Sequence, residues 1–211
     1  MEKVIYQTYP HFYDRMEEFV KENKMINSCD VCFTGDSLVE MYDVSNIPNL
    51  KCVNRGIVSD KSQGLLMSLD DRVIATNPKI VFIFIGSNDI CDGYTLKQIE
   101  NNYLDIIHYL KEKINGIKII LATITPPCYY KANHVDNIYS DCRDIIRIEG
   151  LNEIIKIIGK KENIVIADLY SLLADNNKSL PVNMTLDGVH LTKEAYDKIT
   201  NYILPMLTKE K

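Results

Sequence analysis

The fold of this chain is indicated by the stretch Lys79-Ile-Val-Phe-Ile-Phe-Ile85, which is followed directly by Gly86-Ser-Asn-Asp89. Apolar side chains on consecutive positions predict a strand that is buried on both faces, as the strands of a parallel sheet are. Other apolar runs predict four more strands, at residues 30–35, 50–54, 117–124 and 163–168. Strands that alternate with longer helical patterns are typical of a parallel sheet with helices on both faces.

Helical periodicity fills the stretches between the predicted strands. We expect helices over about residues 8–26, 65–73, 96–114 and 137–160, and a last helix that Thr192 caps. Two capping boxes, Asp60-Lys-Ser-Gln63 and Thr95-Leu-Lys-Gln98, indicate where two of these helices begin. The sequence therefore predicts one α/β domain over residues 1–211, a three-layer α/β/α sandwich around a five-stranded parallel sheet.

Composition excludes several classes of protein. The chain has 211 residues, of which 46% are hydrophobic and 25% charged, as in soluble globular proteins rather than disordered ones. A net charge of -5 argues against nucleic acid as a partner. The longest apolar run, Ile80–Ile85, is too short to span a membrane, and the N-terminal stretch lacks the apolar core of a signal peptide. We therefore expect a cytoplasmic protein with no membrane partner.

A cytoplasmic location predicts that the cysteines are reduced thiols. Cys29-Asp-Val-Cys32 has C-x-x-C spacing, which leaves a redox or metal-binding protein open as an alternative. The pair begins before the first predicted strand, however, whereas a thioredoxin-like pair opens a helix, and no second pair completes a zinc site. We therefore predict no metal site here and reduced thiols throughout, at Cys29, Cys32, Cys52, Cys91, Cys128 and Cys142.

Ligands of parallel sheets bind at the carboxyl ends of the strands, so the residues that follow the strands are the first candidates for a site. Gly35-Asp36-Ser37 follows the first strand and enters a helix, which suits a nucleophile with its own backbone N–H close by. Asn88 follows the third strand and can donate a side-chain N–H to an oxyanion. Taken one at a time, a helix cap at Ser37 and an Asx turn at Asn88 explain these residues better.

The C-terminal part of the chain adds an acid and a base. Asp187 precedes His190 by three positions, so a single turn can bring the carboxylate to the imidazole Nδ1 and orient the ring as a general base. Of the four histidines, only His190 combines an acid placed in this way with a position directly before a helix cap, whereas His11 and His108 fall within predicted helices. His134 falls in a predicted loop, which leaves it open as a substrate contact.

Four sequence blocks, taken together and in this order, resemble the SGNH, or GDSL-type, esterases and acylhydrolases. The blocks are Phe33-Thr-Gly-Asp-Ser-Leu38, Val53-Asn-Arg-Gly-Ile57, Ile85-Gly-Ser-Asn-Asp89 and Asp187-Gly-Val-His190. Each block is weak by itself, but their order and spacing match the family over most of the chain, from Phe33 to about Thr192. The resemblance implies a flavodoxin-like sandwich and the hydrolysis of an acyl ester through an acyl-enzyme, with no metal or organic cofactor.

The resemblance also implies roles for individual residues. Ser37 would be the nucleophile, His190 the general base and Asp187 the acid that orients it. The backbone N–H of Ser37 and the amide of Asn88 would donate to the oxyanion. The family's third donor is usually a glycine N–H, and the matching position here is Ser59. A backbone N–H survives this change, but a positive φ would strain the serine.

The substrate is predicted only as a class. The resemblance implies a small soluble ester, in the first place an acetyl ester on a carbohydrate, with a lysophospholipase or thioesterase as the alternative within the family. A non-hydrolytic binding module on the same sandwich is the alternative outside it. Acyl-chain length, the alcohol and the oligomeric state do not follow from the sequence. Tyrosines after the third and fourth strands are either a stacking wall for a sugar or ordinary half-buried residues: Tyr94, Tyr129, Tyr130 and Tyr139.

Overall fold

The computed structural model describes residues 9–133, 135 and 141–208. One parallel sheet contains the strands β1 (Cys29–Gly35), β2 (Cys52–Gly56), β3 (Pro78–Phe84), β4 (Lys118–Ala122) and β5 (Val165–Ala167). Their order in the sheet is β2-β1-β3-β4-β5, which is the order of flavodoxin-like doubly wound folds. The predicted α/β class, the number of strands and their parallel pairing are confirmed.

Helices precede, connect and follow the strands. They are α1 (Pro10–Asn23), α2 (Ser37–Glu40), α3 (Ser62–Met67), α4 (Leu69–Arg72), α5 (Ser87–Cys91), α6 (Leu96–Lys113), α7 (Ile145–Glu162), α8 (Leu169–Leu173) and α9 (Lys193–Thr208). The predicted capping box at Thr95 and Gln98 is confirmed at the start of α6. Thr192 caps α9 as predicted, because its Oγ1 accepts a hydrogen bond from the backbone N–H of Ala195 at 3.4 Å.

The core is built around β1 and β3 at the centre of the sheet. Val81, Phe82 and Ile83 are at most 1% exposed, so β3 is covered on both faces, as its continuous apolar run predicts. The rings of Phe33 and Phe82 lie 5.1 Å apart between these two strands. Burial of each large apolar side chain contributes about 1.5–3 kcal/mol. This packing fixes the relative position of the strands' carboxyl ends, where Gly35 lies beside Phe84.

The capping box predicted at Asp60 is wrong. Lys61 is the N-cap of α3 and makes no side-chain cap, while the N–H of Ser62 donates to the carboxylate of Asp89 from another element. Asp60 instead forms an ion pair with Arg72, and both side chains are fully buried. Burying an unpaired carboxylate costs more free energy than leaving a helix N-terminus without a side-chain cap, because an unpaired charge is unfavourable away from water. The ion pair of Asp60 is therefore favoured over a capping role.

The prediction that all six cysteines are reduced is wrong for two of them. Cys91 and Cys142 form a disulfide, with Cα atoms 4.7 Å apart. The two residues are 51 positions apart in the chain, and only the packing of the segment before α7 against the end of α5 brings them together. Local sequence spacing therefore gives no sign of this pair.

The C-x-x-C pair lies inside a strand. Cys29 and Cys32 both belong to β1, not to a loop before it, and both are buried and form no disulfide. Burial raises the pKa of the Cys32 thiol to about 12, so it stays protonated and unreactive near neutral pH. This environment does not support the redox alternative. Within the described part of the chain, no helix combines the length and apolar character that a membrane span requires.

Candidate active site

Ser37 directly follows the sharp turn between β1 and α2. Gly35 ends the strand so close to its neighbour that a Cβ would lie 1.9 Å from the carbonyl oxygen of Phe84. Asp36 then caps the helix, since its carboxylate accepts a hydrogen bond from the N–H of Leu38 at 2.9 Å. Ser37 is consequently the first residue of α2, at the carboxyl edge of the sheet. The glycine at position 35 and the aspartate at position 36 thus each have a local structural cause.

Asp187 and His190 form the acid–base pair that their spacing predicts. The Asp187 Oδ2 atom lies 2.5 Å from His190 Nδ1, and its Oδ1 accepts hydrogen bonds from the backbone N–H groups of Val189 and His190. Burial would raise the pKa of Asp187, but these hydrogen bonds outweigh it and hold the pKa below its usual value. The carboxylate therefore stays ionised and fixes the ring.

The histidine connects this pair to Ser37. His190 Nε2 lies 3.0 Å from Ser37 Oγ, although the two residues are 153 positions apart in the chain. With Nδ1 turned toward the aspartate, Nε2 is the nitrogen that can accept the serine proton. Ser37, Asp187 and His190 therefore form one continuous hydrogen-bonded line.

Asn88 projects from α5 toward the same edge. Its Nδ2 donates to the backbone carbonyl of Asp60 at 3.0 Å, and its Oδ1 accepts from Nη2 of Arg143 at 3.0 Å. The chemistry of these two neighbours determines the amide orientation, because a carbonyl only accepts and a guanidinium only donates. The amide nitrogen therefore faces the Ser59–Asp60 segment.

Ser59 occupies a backbone conformation that glycine normally fills. It is exposed, with a φ of 60°, and it lies in a turn closed by the Asp60 N–H on the carbonyl of Ile57 at 3.1 Å. The preceding N–H, that of Val58, donates to the carboxylate of Glu40 at 2.6 Å, which ties the turn to α2. The position thus requires the positive φ that makes glycine usual there.

Replacing Ser59 with glycine should stabilise the protein by up to about 1 kcal/mol, because glycine removes the left-handed strain of a side-chain-bearing residue. Urea unfolding measures the change. Ser45→Gly is the matched control: Ser45 lies in the 3₁₀ turn Val44–Asn46, so the change should destabilise by about 0.5–1 kcal/mol. A loss of stability in Ser59→Gly would contradict the assignment of strain.

Buried charges lie directly behind the site. Burial raises the pKa of Asp36 to about 7 and that of Asp89 to about 6. Asp60 has Arg72 as its charged partner. Near neutral pH, partial protonation of Asp36 leaves less negative charge beside Ser37 than the three aspartates would otherwise place there.

Arg143 is a site residue that no sequence motif indicates. Its guanidinium is buried and reaches Asn88 across 55 positions of the chain. Burial lowers the pKa of Arg143, and the charges of Asp36 and Asp187 oppose this effect. An arginine that lies outside all four sequence blocks gives no signal that could have identified it.

The remaining histidines make ordinary contacts where they are described. His11 lies 3.0 Å from the carboxylate of Glu40, and His108 pairs with Glu162 at 3.3 Å on the surface. His134 lies outside the described residues. Among the residues that are described, no group of three or more His, Cys, Asp or Glu side chains is arranged to hold a metal ion.

The tyrosines considered for a sugar-stacking wall differ in how exposed they are. Tyr94 is 4% exposed and packs in the core, so of the two alternatives the stacking wall does not apply to it. Tyr129 is 45% exposed and donates to the backbone carbonyl of Arg143 at 3.0 Å, which places it near the site. Tyr130 donates to Asp175 at 2.5 Å, and Tyr139 lies outside the described residues.

A doubly wound α/β sheet with a serine, a histidine and an aspartate aligned at its carboxyl edge has the architecture of a hydrolase. The sequence profile of the GDSL-like Lipase/Acylhydrolase family matches residues 33–198. The chain belongs to this family, and all four sequence blocks lie within the matched range.

The chain is also similar to known proteins, to one in sequence and to others in fold. N-acylneuraminate cytidylyltransferase of Escherichia coli O18:K1:H7 is 27% identical over 200 residues, which cover 92% of this chain and 44% of that protein. The chain thus spans less than half of that relative. The structure of a GDSL-like lipase from Bacteroides thetaiotaomicron superposes with a TM-score of 0.79 at 24% identity. The alignment covers 91% of this chain and 96% of the lipase. The structure of a mutant of an acetyl-xylooligosaccharide esterase from Geobacillus superposes with a TM-score of 0.69 at 19% identity. That alignment covers 89% of this chain and 97% of the esterase.

Proposed function

We propose that this protein is a serine esterase that removes a small acyl group, in the first place acetyl, from a carbohydrate. The proposal is carried by one observation, the line in which Asp187 Oδ2 lies 2.5 Å from His190 Nδ1 and His190 Nε2 lies 3.0 Å from Ser37 Oγ. Distances in this range are those over which a general base takes a proton from a nucleophile. Membership of an acylhydrolase family supports the same chemistry.

In the proposed reaction, Ser37 Oγ attacks the acyl carbon while His190 takes its proton. The tetrahedral intermediate collapses, His190 returns the proton to the departing alcohol, and the acyl group stays on Ser37. Water then attacks with the help of His190, and the acid leaves as Ser37 regains its proton. Asp187 stabilises the imidazolium that forms in both halves of the reaction.

Charge on the acyl oxygen would be stabilised by three N–H donors. Asn88 offers one N–H of its side-chain amide while the other donates to the Asp60 carbonyl. The backbone N–H groups of Ser37 and Ser59 complete the proposed set, and the fixed turn at Ser59 keeps its N–H in place before substrate binds. Donors that are oriented in advance act more strongly than water does, because they need no reorganisation during the reaction.

The choice of a carbohydrate acetyl ester rests on two names among the similar proteins. One relative is named for N-acylneuraminate, a sugar, and one structural neighbour is an acetyl-xylooligosaccharide esterase. Tyr129, half exposed beside Arg143, supplies an aromatic face near the site. No cofactor enters the proposed reaction, because each proton transfer has a side chain to perform it.

A panel of esters tests this proposal. We expect kcat/KM to be highest for p-nitrophenyl acetate and O-acetylated sugars, and to fall for butyrate, octanoate, lysophosphatidylcholine and acyl thioesters. Ser37→Ala supplies the blank for each substrate. Preference for the octanoyl ester, the lysophospholipid or the thioester would replace this proposal by the other esterase types of the family. Hydrolysis of none of them would favour a binding module.

A further inference from the structure

Arg143 is held against the helix that carries Asn88. Its Nε donates to Ser87 Oγ at 2.7 Å, and its Nη2 donates to Asn88 Oδ1 at 3.0 Å. Arg143 is 8% exposed and Ser87 is 4% exposed, so the hydrogen bond between them is shielded from water, while the one to Asn88 is partly buried. One planar guanidinium thus bonds two successive residues at the start of α5.

The disulfide fixes the same segment a second time. Cys142, the neighbour of Arg143, is covalently joined to Cys91 at the other end of α5. The segment of Arg143 is therefore attached to α5 by a covalent bond at the end of the helix and by hydrogen bonds at its beginning. Tyr129 adds a hydrogen bond to the backbone carbonyl of Arg143.

We propose that Arg143 is a positioning residue of the oxyanion hole, and that the Cys91–Cys142 disulfide keeps it in place. The guanidinium holds the Asn88 amide with its oxygen turned away from the substrate and its nitrogen turned toward it. The inference rests on the proposed function, because it concerns the oxyanion donor of that reaction.

Asn88 needs a positioning residue because the oxygen and nitrogen ends of a side-chain amide have nearly the same shape. A flip by half a turn exchanges the oxygen and nitrogen of Asn88 at little steric cost, and it would direct a carbonyl oxygen at the developing oxyanion. Hydrogen bonds to a charged donor are stronger than neutral ones, so Arg143 opposes the flip more than a neutral residue would. Fixing a donor before the reaction is what makes an oxyanion hole effective.

Arg143→Met should lower kcat about 10- to 100-fold with little change in KM, which is less than the ~10²–10³-fold expected for loss of the donor itself. The decisive measurement is a double-mutant cycle with Asn88→Ala. In the Asn88→Ala background, Arg143→Met should lower kcat by less than about 2-fold, because no amide remains to be positioned. Arg143→Lys should keep part of the activity, since lysine still donates.

Arg147→Met is the matched control for structural damage. Arg147 also binds this region, through the backbone carbonyls of Ile90 in α5 and of Tyr94 after it, but makes no described contact with Asn88. It should lower stability and leave kcat within about 2-fold, at a temperature where circular dichroism shows each variant folded. Equal losses from Arg143→Met with and without Asn88 would overturn the inference.

Reduction tests the role of the disulfide. Dithiothreitol supplies two electrons and two protons: it closes to its own cyclic disulfide while Cys91 and Cys142 become thiols. We expect kcat of the reduced wild type to fall toward that of Arg143→Met, and reduction of Arg143→Met to have no further effect. The double variant Cys91→Ser, Cys142→Ser should be slow from the start and insensitive to dithiothreitol. Unchanged kcat on reduction would overturn this part.

The outcomes also separate this inference from the proposed function. If Ser37→Ala retains esterase activity, the proposed function fails and Arg143 has no oxyanion donor to position. If Ser37→Ala is inactive but Arg143→Met lowers kcat by the same factor with and without Asn88→Ala, the proposed function stands and the positioning role fails.

Discussion

Ser37→Ala should lower kcat/KM on p-nitrophenyl acetate by about 10⁴-fold or more while the protein stays folded. Ser37 Oγ makes the 3.0 Å contact with His190 Nε2, and alanine removes the atom that would form the acyl-enzyme. His190→Ala should cause a loss of similar size, because the serine then has no base. The double variant should be no slower than either single variant, since residues that act as one unit are not additive.

Matched controls are available for both residues. Ser45→Ala removes an exposed serine hydroxyl that bonds only locally to Asp43, and His108→Ala removes the surface histidine that pairs with Glu162. Both should keep activity within about 2-fold, as surface changes far from a site usually do. Asp187→Asn should slow the reaction by about 10⁴-fold through the wrong ring tautomer. Wild-type rates in Ser37→Ala would refute the assigned nucleophile.

Arg72→Met should destabilise the protein by about 3–5 kcal/mol, which is a large part of the 5–15 kcal/mol typical of a folded protein. Arg72 pairs with Asp60 where neither side chain is exposed, so methionine leaves a buried carboxylate without its cation. Arg72 also donates to the carbonyl oxygens of Gly35, at 2.6 Å, and Arg55, at 2.8 Å. It therefore connects the carboxyl ends of β1 and β2 behind Ser37. Urea unfolding measures the loss.

Arg55→Met is the control for the loss of a buried arginine as such. The Arg55 side chain is 1% exposed, but its carboxylate partner Glu22 is 52% exposed, so water can solvate the carboxylate that is left behind. We expect a smaller loss than for Arg72→Met. The double variant Asp60→Leu, Arg72→Met should recover part of the stability, because it removes the orphaned charge. If Arg72→Met lowers the free energy of unfolding no more than Arg55→Met does, the buried Asp60–Arg72 pair is not the cause of the loss.

Periodicity and motif order were enough to predict the general architecture. The continuous apolar run at Lys79–Ile85 predicts a central strand, and β3 is indeed buried on both faces. The Asp187–His190 pair was predictable for a related reason: three positions form one turn, so its geometry depends on the local chain. Interactions between near neighbours in sequence can be inferred from spacing because the backbone between them has few conformations.

Contacts between distant segments could not be inferred in this way. The sequence offers Asp60 as a helix cap, but the folded chain brings Arg72 to it, and the ion pair takes precedence. The Cys91–Cys142 disulfide and the bond between Arg143 and Asn88 join residues 51 and 55 positions apart. No pattern along the chain specifies such partners, since they depend on how the segment before α7 packs on α5.

The sequence by itself determined the α/β class, the strands and the identity of the residues that follow them. It also identified Ser59 as a serine where a glycine is usual. Only the tertiary structure decided that Ser59 has a φ of 60° and that the Nε2 atom of His190 reaches Ser37. The physical reason is that hydrophobic periodicity acts within each element, whereas alignment of the site requires several elements to converge at one edge of the sheet.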